Sequence, residues 1–176
     1  AQTLREISQA LVTTFDVAEL MDVLARELPR LGIPSCYLSL YEKPGVPTEW
    51  SRLILAYNET GRVELAAGER RFPSRQLIPD GLLPHDRRYR MVVEPLYFRE
   101  TQLGFALFEV GQQEERVCEA LRGQLSRALQ GALLLQERQR AEEALEKAYE
   151  EVEKQVEEQT AELRREIAER QRVEEE

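Results

Sequence analysis

The sequence predicts an α+β domain, an antiparallel sheet flanked by helices, followed by a long C-terminal coiled-coil helix. Three observations predict it. Apolar residues at helical spacing fill the first thirty positions, four β-prone runs lie between residues 36 and 110, and no proline follows Pro95 and no glycine follows Gly131. Nothing therefore prevents a helix from running from about Glu114 to the last residue. The division expected is a domain over residues 1–135 and a coiled-coil helix over 136–176.

The elements follow in order. In "TLREISQALVT", Leu4, Ile7 and Leu11 share one helical face. "DVAELMDVLARELPRLG" opens with Asp16 as N-cap and Glu19 three residues on, the spacing of a capping box. Val17, Leu20, Leu24 and Leu28 form its buried stripe, and Gly32 with Pro34 ends it. "CYLSLYE" sets Cys36, Leu38 and Leu40 against Tyr37, Ser39 and Tyr41, the alternation of a half-buried strand. "KPGVPTEW" is turn chemistry, and "RLILAYN" is a second strand, paired to the first if that turn is a hairpin.

Residues 59–88 break this rhythm, because Gly61, Gly68, Gly81 and three prolines interrupt short apolar pieces. One short strand or one turn of helix is all the regular structure expected there. "YRMVVEPLYF" and "QLGFALFEV" are then two strands joined at "RET". Pro95 removes a ladder donor and calls for a bulge or an edge position.

Charge separates the two parts. Residues 136–176 hold 15 Glu and 8 Lys or Arg, a net of -7 out of the chain's -9, which leaves the first 135 residues at -2. Neither part carries the basic surface that neutralising phosphates requires, so nucleic acid is not an expected partner. The longest apolar runs are strand-sized and no signal-peptide pattern opens the chain, so no direct membrane contact is expected. The start at Ala1 and the end inside a helix read as a segment of a longer protein, whose own membrane attachment stays open.

The sequence lacks the parts of most active sites. His85 in "PHDRR" is the single histidine and sits among turn residues, so neither a phosphoacceptor helix nor a zinc site or hydrolytic triad can be assembled. No glycine-rich phosphate loop is present. Cys36 and Cys118 lie far apart without metal spacing and read as buried thiols, which suits a reducing cytoplasm. No catalysis and no cofactor are expected, and Trp50 reads as a packing residue.

"LVTTFDVAELMDVLARELPRLGIPSCYLSLYE" with "VVEPLYFRETQLGFALFEV" resembles a GAF domain, the small sensory module of bacterial signalling proteins. The likeness rests mainly on the second stretch: a strand ending in Pro95-Leu96, a polar turn from Arg99 to Gln102, and Leu103-Gly104-Phe105 as an apolar-Gly-apolar strand. The tail, with "VEEQTAELRREIAER", is similar to connector helices that lead into a histidine kinase or diguanylate cyclase.

The resemblance implies a small-molecule pocket between the sheet and residues 59–88, with Tyr37, Ser39 and Tyr57 presented from one sheet face. Arg70, Arg71 and Arg75 are candidates for an anionic ligand, the alternative being solvated loop charges. The cysteine-histidine pair of bilin-binding members and the residue set of cyclic-nucleotide-binding members are missing.

The tail's own physics asks for a partner. Forty-one polar residues would extend about 60 Å as a helix, and such a helix is marginal alone. Leu145, Tyr149, Val152, Val156, Thr160, Leu163 and Ile167 make a thin seam, with two successive spacings of four through Thr160 that locally unwind a supercoil. A parallel homodimer is expected. Upstream, Leu121, Leu125, Ala128, Ala132 and Leu135 either continue the dimer packing or cap the sheet.

The function expected is therefore a non-catalytic sensory, relay and dimerisation module. The alternatives are a thiol-dependent enzyme of GAF type and a purely structural spacer.

Overall fold

The computed structural model describes residues 2–43, 49–111 and 115–174. The chain divides into two compact units, Ala1–Leu134 and Leu135–Glu176. In the first, α1 (Gln2–Val12) and α2 (Val17–Glu27) precede a sheet of β1 (Cys36–Tyr41), β2 (Trp50–Asn58), β3 (Gly61–Arg62), β4 (Arg71–Pro73), β5 (Met91–Phe98) and β6 (Thr101–Glu109). Helix α3 (Glu115–Glu174) follows and runs without a break into the second unit. The strand order is β3-β2-β1-β6-β5, with β4 also on β2, and every pairing is antiparallel. This is the α+β arrangement the sequence predicts.

Local chemistry accounts for the helices. The Asp16 carboxylate accepts the Glu19 N–H at 3.0 Å, the N-cap half of the expected box. Helix α2 then buries Leu20, Met21 and Leu24, a 3-10 turn continues to Leu31, and Gly32 closes it at φ 72, the left-handed region that glycine enters without steric cost. Ile7 and Leu11 of α1 are buried beside them, while the side chain of Leu4 lies outside the described residues. Most of the turn expected at Lys43 to Trp50, and Glu114, also lie outside them.

Two apolar layers sandwich the sheet. On its first face α1, α2 and the start of α3 bury Leu24, Cys36, Leu38, Phe108, Leu121 and Leu125. Leu121, Leu125, Ala128 and Ala132 are thus covered within the single chain, and this stretch caps the sheet. Leu135 falls in the second unit, half-exposed. On the second face Tyr37, Leu53, Ala56, Phe105 and Leu107 pack against Phe72 and Ile78 from the irregular stretch.

That stretch holds more regular structure than expected: β3 and β4, with 3-10 turns at Ala67–Glu69 and Ser74–Gln76. Both strands are completed by the open edge of β2. The Leu53 N–H donates to the Arg70 carbonyl at 2.8 Å and Val63 N–H to that of Ala56 at 2.8 Å. Strands of two and three residues have too few positions to show alternation, so pairing alone defines them.

Pro95 lies on β5, which is an edge strand, and a register shift follows one residue later at Leu96/Tyr97. The hairpin into β6 turns at Arg99, φ 56. Gly104 marks the closest approach in the sheet. A Cβ added there would stand 2.0 Å from the Ser39 carbonyl oxygen and 2.8 Å from Leu40 Cα, so only glycine lets β6 seat against β1.

Candidate functional site

One end of the second face opens into a cavity of about 300 Å³ between the sheet and residues 81–87. Tyr37 reaches it from β1, Asn58 from β2, Glu59 and Thr60 from the turn after β2, and Leu82 and Arg87 from the excursion. Tyr37 is buried, its hydroxyl donates to the Leu82 carbonyl at 3.0 Å, and burial holds its phenol above the usual range. The strand thereby fastens the loop that forms the cavity's wall.

Beneath lies a polar cluster. Glu109, at the end of β6, keeps only 9% of its side chain exposed. The Arg87 guanidinium grips it with two hydrogen bonds, at 2.5 and 2.9 Å, and Ser35 Oγ donates to it at 2.8 Å. Arg87 also meets Glu59 at 3.0 Å. The bond from Arg87, assisted by Ser35, holds the Glu109 carboxyl below the ordinary range in spite of burial, and Glu109 in turn raises the Arg87 guanidinium.

A depressed carboxylate stabilises the fold fully above its unfolded pKa, about 4.3, and that stability is lost as pH falls through the lower folded value. Glu109→Gln is accordingly expected to cost about 2–3 kcal/mol near neutrality, by removing the buried half of an ion pair and leaving Arg87 only the exposed Glu59 as counter-charge. Urea unfolding between about pH 5 and 3 should show the parent losing stability more steeply than the variant, so that their difference narrows.

The residues singled out from sequence separate in the structure. Tyr37 lines the cavity. Ser39 does not; it sits between Leu53 and Phe105 on its neighbouring strands, buried, with no hydrogen-bond partner for its hydroxyl among the described residues.

Tyr57 packs with the first-face core, opposite to Tyr37, and so does not share the face expected of it. The cause is a bulge. Leu38 pairs with Leu55 but Ser39 with Leu53, which leaves Ile54 as an extra residue and reverses the facing of every position on one side of it.

The arginines do not converge on the cavity. Arg70 donates to the Leu65 carbonyl at 3.0 Å and meets Glu64 at 3.7 Å. Arg71 forks onto Glu42 at 2.6 and 3.2 Å and stacks 3.9 Å over the Trp50 ring, so Trp50 is a packing partner for a cation. Arg75 is exposed on the second 3-10 turn.

Sequence reading passed over Ser35, Arg87 and Glu109. A faint signal existed for the last: Glu109 continues the facing of Phe105 and Leu107, an acid on an apolar face. His85 is exposed in the loop. Cys36 and Cys118 are buried, and burial, with Cys118 nearby, pushes the Cys36 thiol far above its normal range. Among the described residues no group of His, Cys, Asp and Glu is placed to hold a metal ion, and no helix is long and apolar enough to cross a membrane.

No protein-family model matches the chain. No curated protein matches it either. Solved structures do. The GAF domain of a phosphoenolpyruvate-protein phosphotransferase from Acinetobacter aligns at 14% identity over 77% of this chain and 96% of its own, with a TM-score of 0.56. That of the corresponding protein from Coxiella burnetii aligns at 14% identity over 76% and 94%, with a TM-score of 0.54. A fragment of a methyl-accepting chemotaxis protein aligns at 14% identity over 76% and 99%, with a TM-score of 0.46. The fold is GAF-like.

Proposed function

We propose that the chain is a non-catalytic sensory and relay module that pairs as a parallel homodimer and passes a change of state along its C-terminal coiled coil to an output unit. The reading places it in the cytoplasm of a bacterium, ahead of a histidine kinase or diguanylate cyclase. A GAF-like fold with a cavity between sheet and excursion supports sensing over bare spacing.

The observation that carries the proposal is the row of apolar side chains on the second unit. Leu145, Tyr149, Val152, Val156, Leu163 and Ile167 are each 55–71% exposed in the single chain, at spacings that return to one helical stripe. A polar helix of this length is marginal without a covering partner, and a second copy offers an identical stripe in the same register. The stutter through Thr160 loosens the supercoil at one place, which suits an element that shifts register. Pairing of the first units sets the parallel sense. Thiol chemistry on the same fold is disfavoured by the burial of both cysteines.

The parallel pair is tested by Val156→Cys. In a parallel, in-register dimer this position faces its own counterpart, so mild oxidation should trap most of the protein as a disulfide-linked dimer, while Glu157→Cys on the outer surface should trap little. A chain that stays monomeric and uncrosslinked at every concentration would sink the proposal.

A further inference from the structure

One residue of the cavity's wall also holds the end of β6. Arg87 lines the cavity and, on its inner side, holds Glu109 at the end of β6. The chain just beyond is tied to the same loop: the Val110 N–H donates to the Arg90 carbonyl at 3.0 Å, and the Arg90 guanidinium donates to the Gly111 carbonyl at 2.7 Å. The Glu109 N–H donates to the Ser35 carbonyl at 2.9 Å. The ladder between β5 and β6 ends at Glu109, and Val110 just beyond it is buried in the same apolar core as Cys118 and Leu121 of α3. Cys118 and Leu121 then seat the first turns of α3 in the core.

The chemistry makes this tie conditional on Arg87. A carboxylate as buried as that of Glu109 is tolerated while its counter-charge is present, and without it the segment must open to hydrate the charge.

We infer that Arg87 is a positioning residue that couples the cavity to the output helix: an occupant that draws its guanidinium off Glu109 releases residues 109–111 and loosens the first turns of α3. The inference rests on the relay reading and assigns the contact through which that relay starts.

Hydrogen exchange on the full chain tests it. In Arg87→Met the amides of Glu109, Val110 and Glu119 to Leu125 should exchange about tenfold faster or more, with those of α2 and central β1 unchanged. Arg87→Lys, which keeps charge but loses the fork, should give a smaller acceleration confined to the same amides. Arg87→Met combined with Glu109→Leu leaves no buried charge and should return exchange there to near the parent's rate.

Uniform acceleration along the chain, unchanged rates at 119–125, or a double variant as loose as the single one would each overturn the coupling. Cross-linking at position 156 is read separately, so either result can fail while the other stands.

Discussion

Gly104→Ala lowers the unfolding free energy by about 4 kcal/mol or more, enough to leave a domain of ordinary stability largely unfolded. Overpacking in a core usually costs about 1–3 kcal/mol because side chains rotate away. Here the nearest atoms to the new methyl group are the carbonyl oxygen and carbon of Ser39 and the Cα of Leu40, at 2.0–2.9 Å, and a backbone in the middle of a sheet has nowhere to go. Relief requires β1 and β6 to part, with loss of pairings on both sides of Leu40.

Gly131→Ala is the internal control. It lies in α3 with nothing within 4 Å of the added carbon, and should gain about 0.5–1 kcal/mol from helix propensity. Urea titrations of the two variants beside the parent decide the matter. A Gly104→Ala protein within about 1 kcal/mol of the parent would mean that the strands are not seated as described.

Val152→Glu with Val156→Glu is expected to convert a dimer into a monomer and to melt most of the second unit. Each valine contributes about 1.5–3 kcal/mol when covered, and the pair is counted twice in a symmetric dimer. The replacements add four facing negative charges to a stretch, residues 142–158, that already holds eight Glu against two Lys, a net of -6 per chain. The dissociation constant should rise at least about a thousandfold, read by sedimentation. Far-ultraviolet circular dichroism should lose the helical signal of the tail, while the melting of the first unit stays close to the parent's. Retention of both the dimer and the helical signal would exclude this seam as the interface.

The strands and helices were legible where a single face is repeated often enough to leave a period. Cys36 to Tyr41 and the stripe from Val17 to Leu28 are of that kind. Tyr57 was misjudged because one extra residue, Ile54, is invisible in a run of Leu, Ile and Leu whose members suit either face.

The stretch holding β3 and β4 was credited with one short element at most for a related reason, since the order of both strands comes from the edge they complete. The polar cluster was harder still. Ser35 and Glu109 are 74 residues apart and Arg87 and Glu109 are 22 apart, so no local spacing links them, and Arg87 stands among other charges in "PHDRR". Of the arginines that looked like a cluster in sequence, Arg70 and Arg71 turned to separate partners and Arg75 is exposed on a 3-10 turn, because successive residues along the chain point in different directions.

Strand β5 ends the sheet on one side, and in the middle of it Pro95 presents no N–H. A foreign strand laid along that border would find a missing rung and a kinked template, the features by which natural proteins refuse edge-to-edge growth into fibrils. At the opposite border β2 is already occupied at both ends by β3 and β4. Neither border therefore offers another sheet a long unbroken ladder to extend.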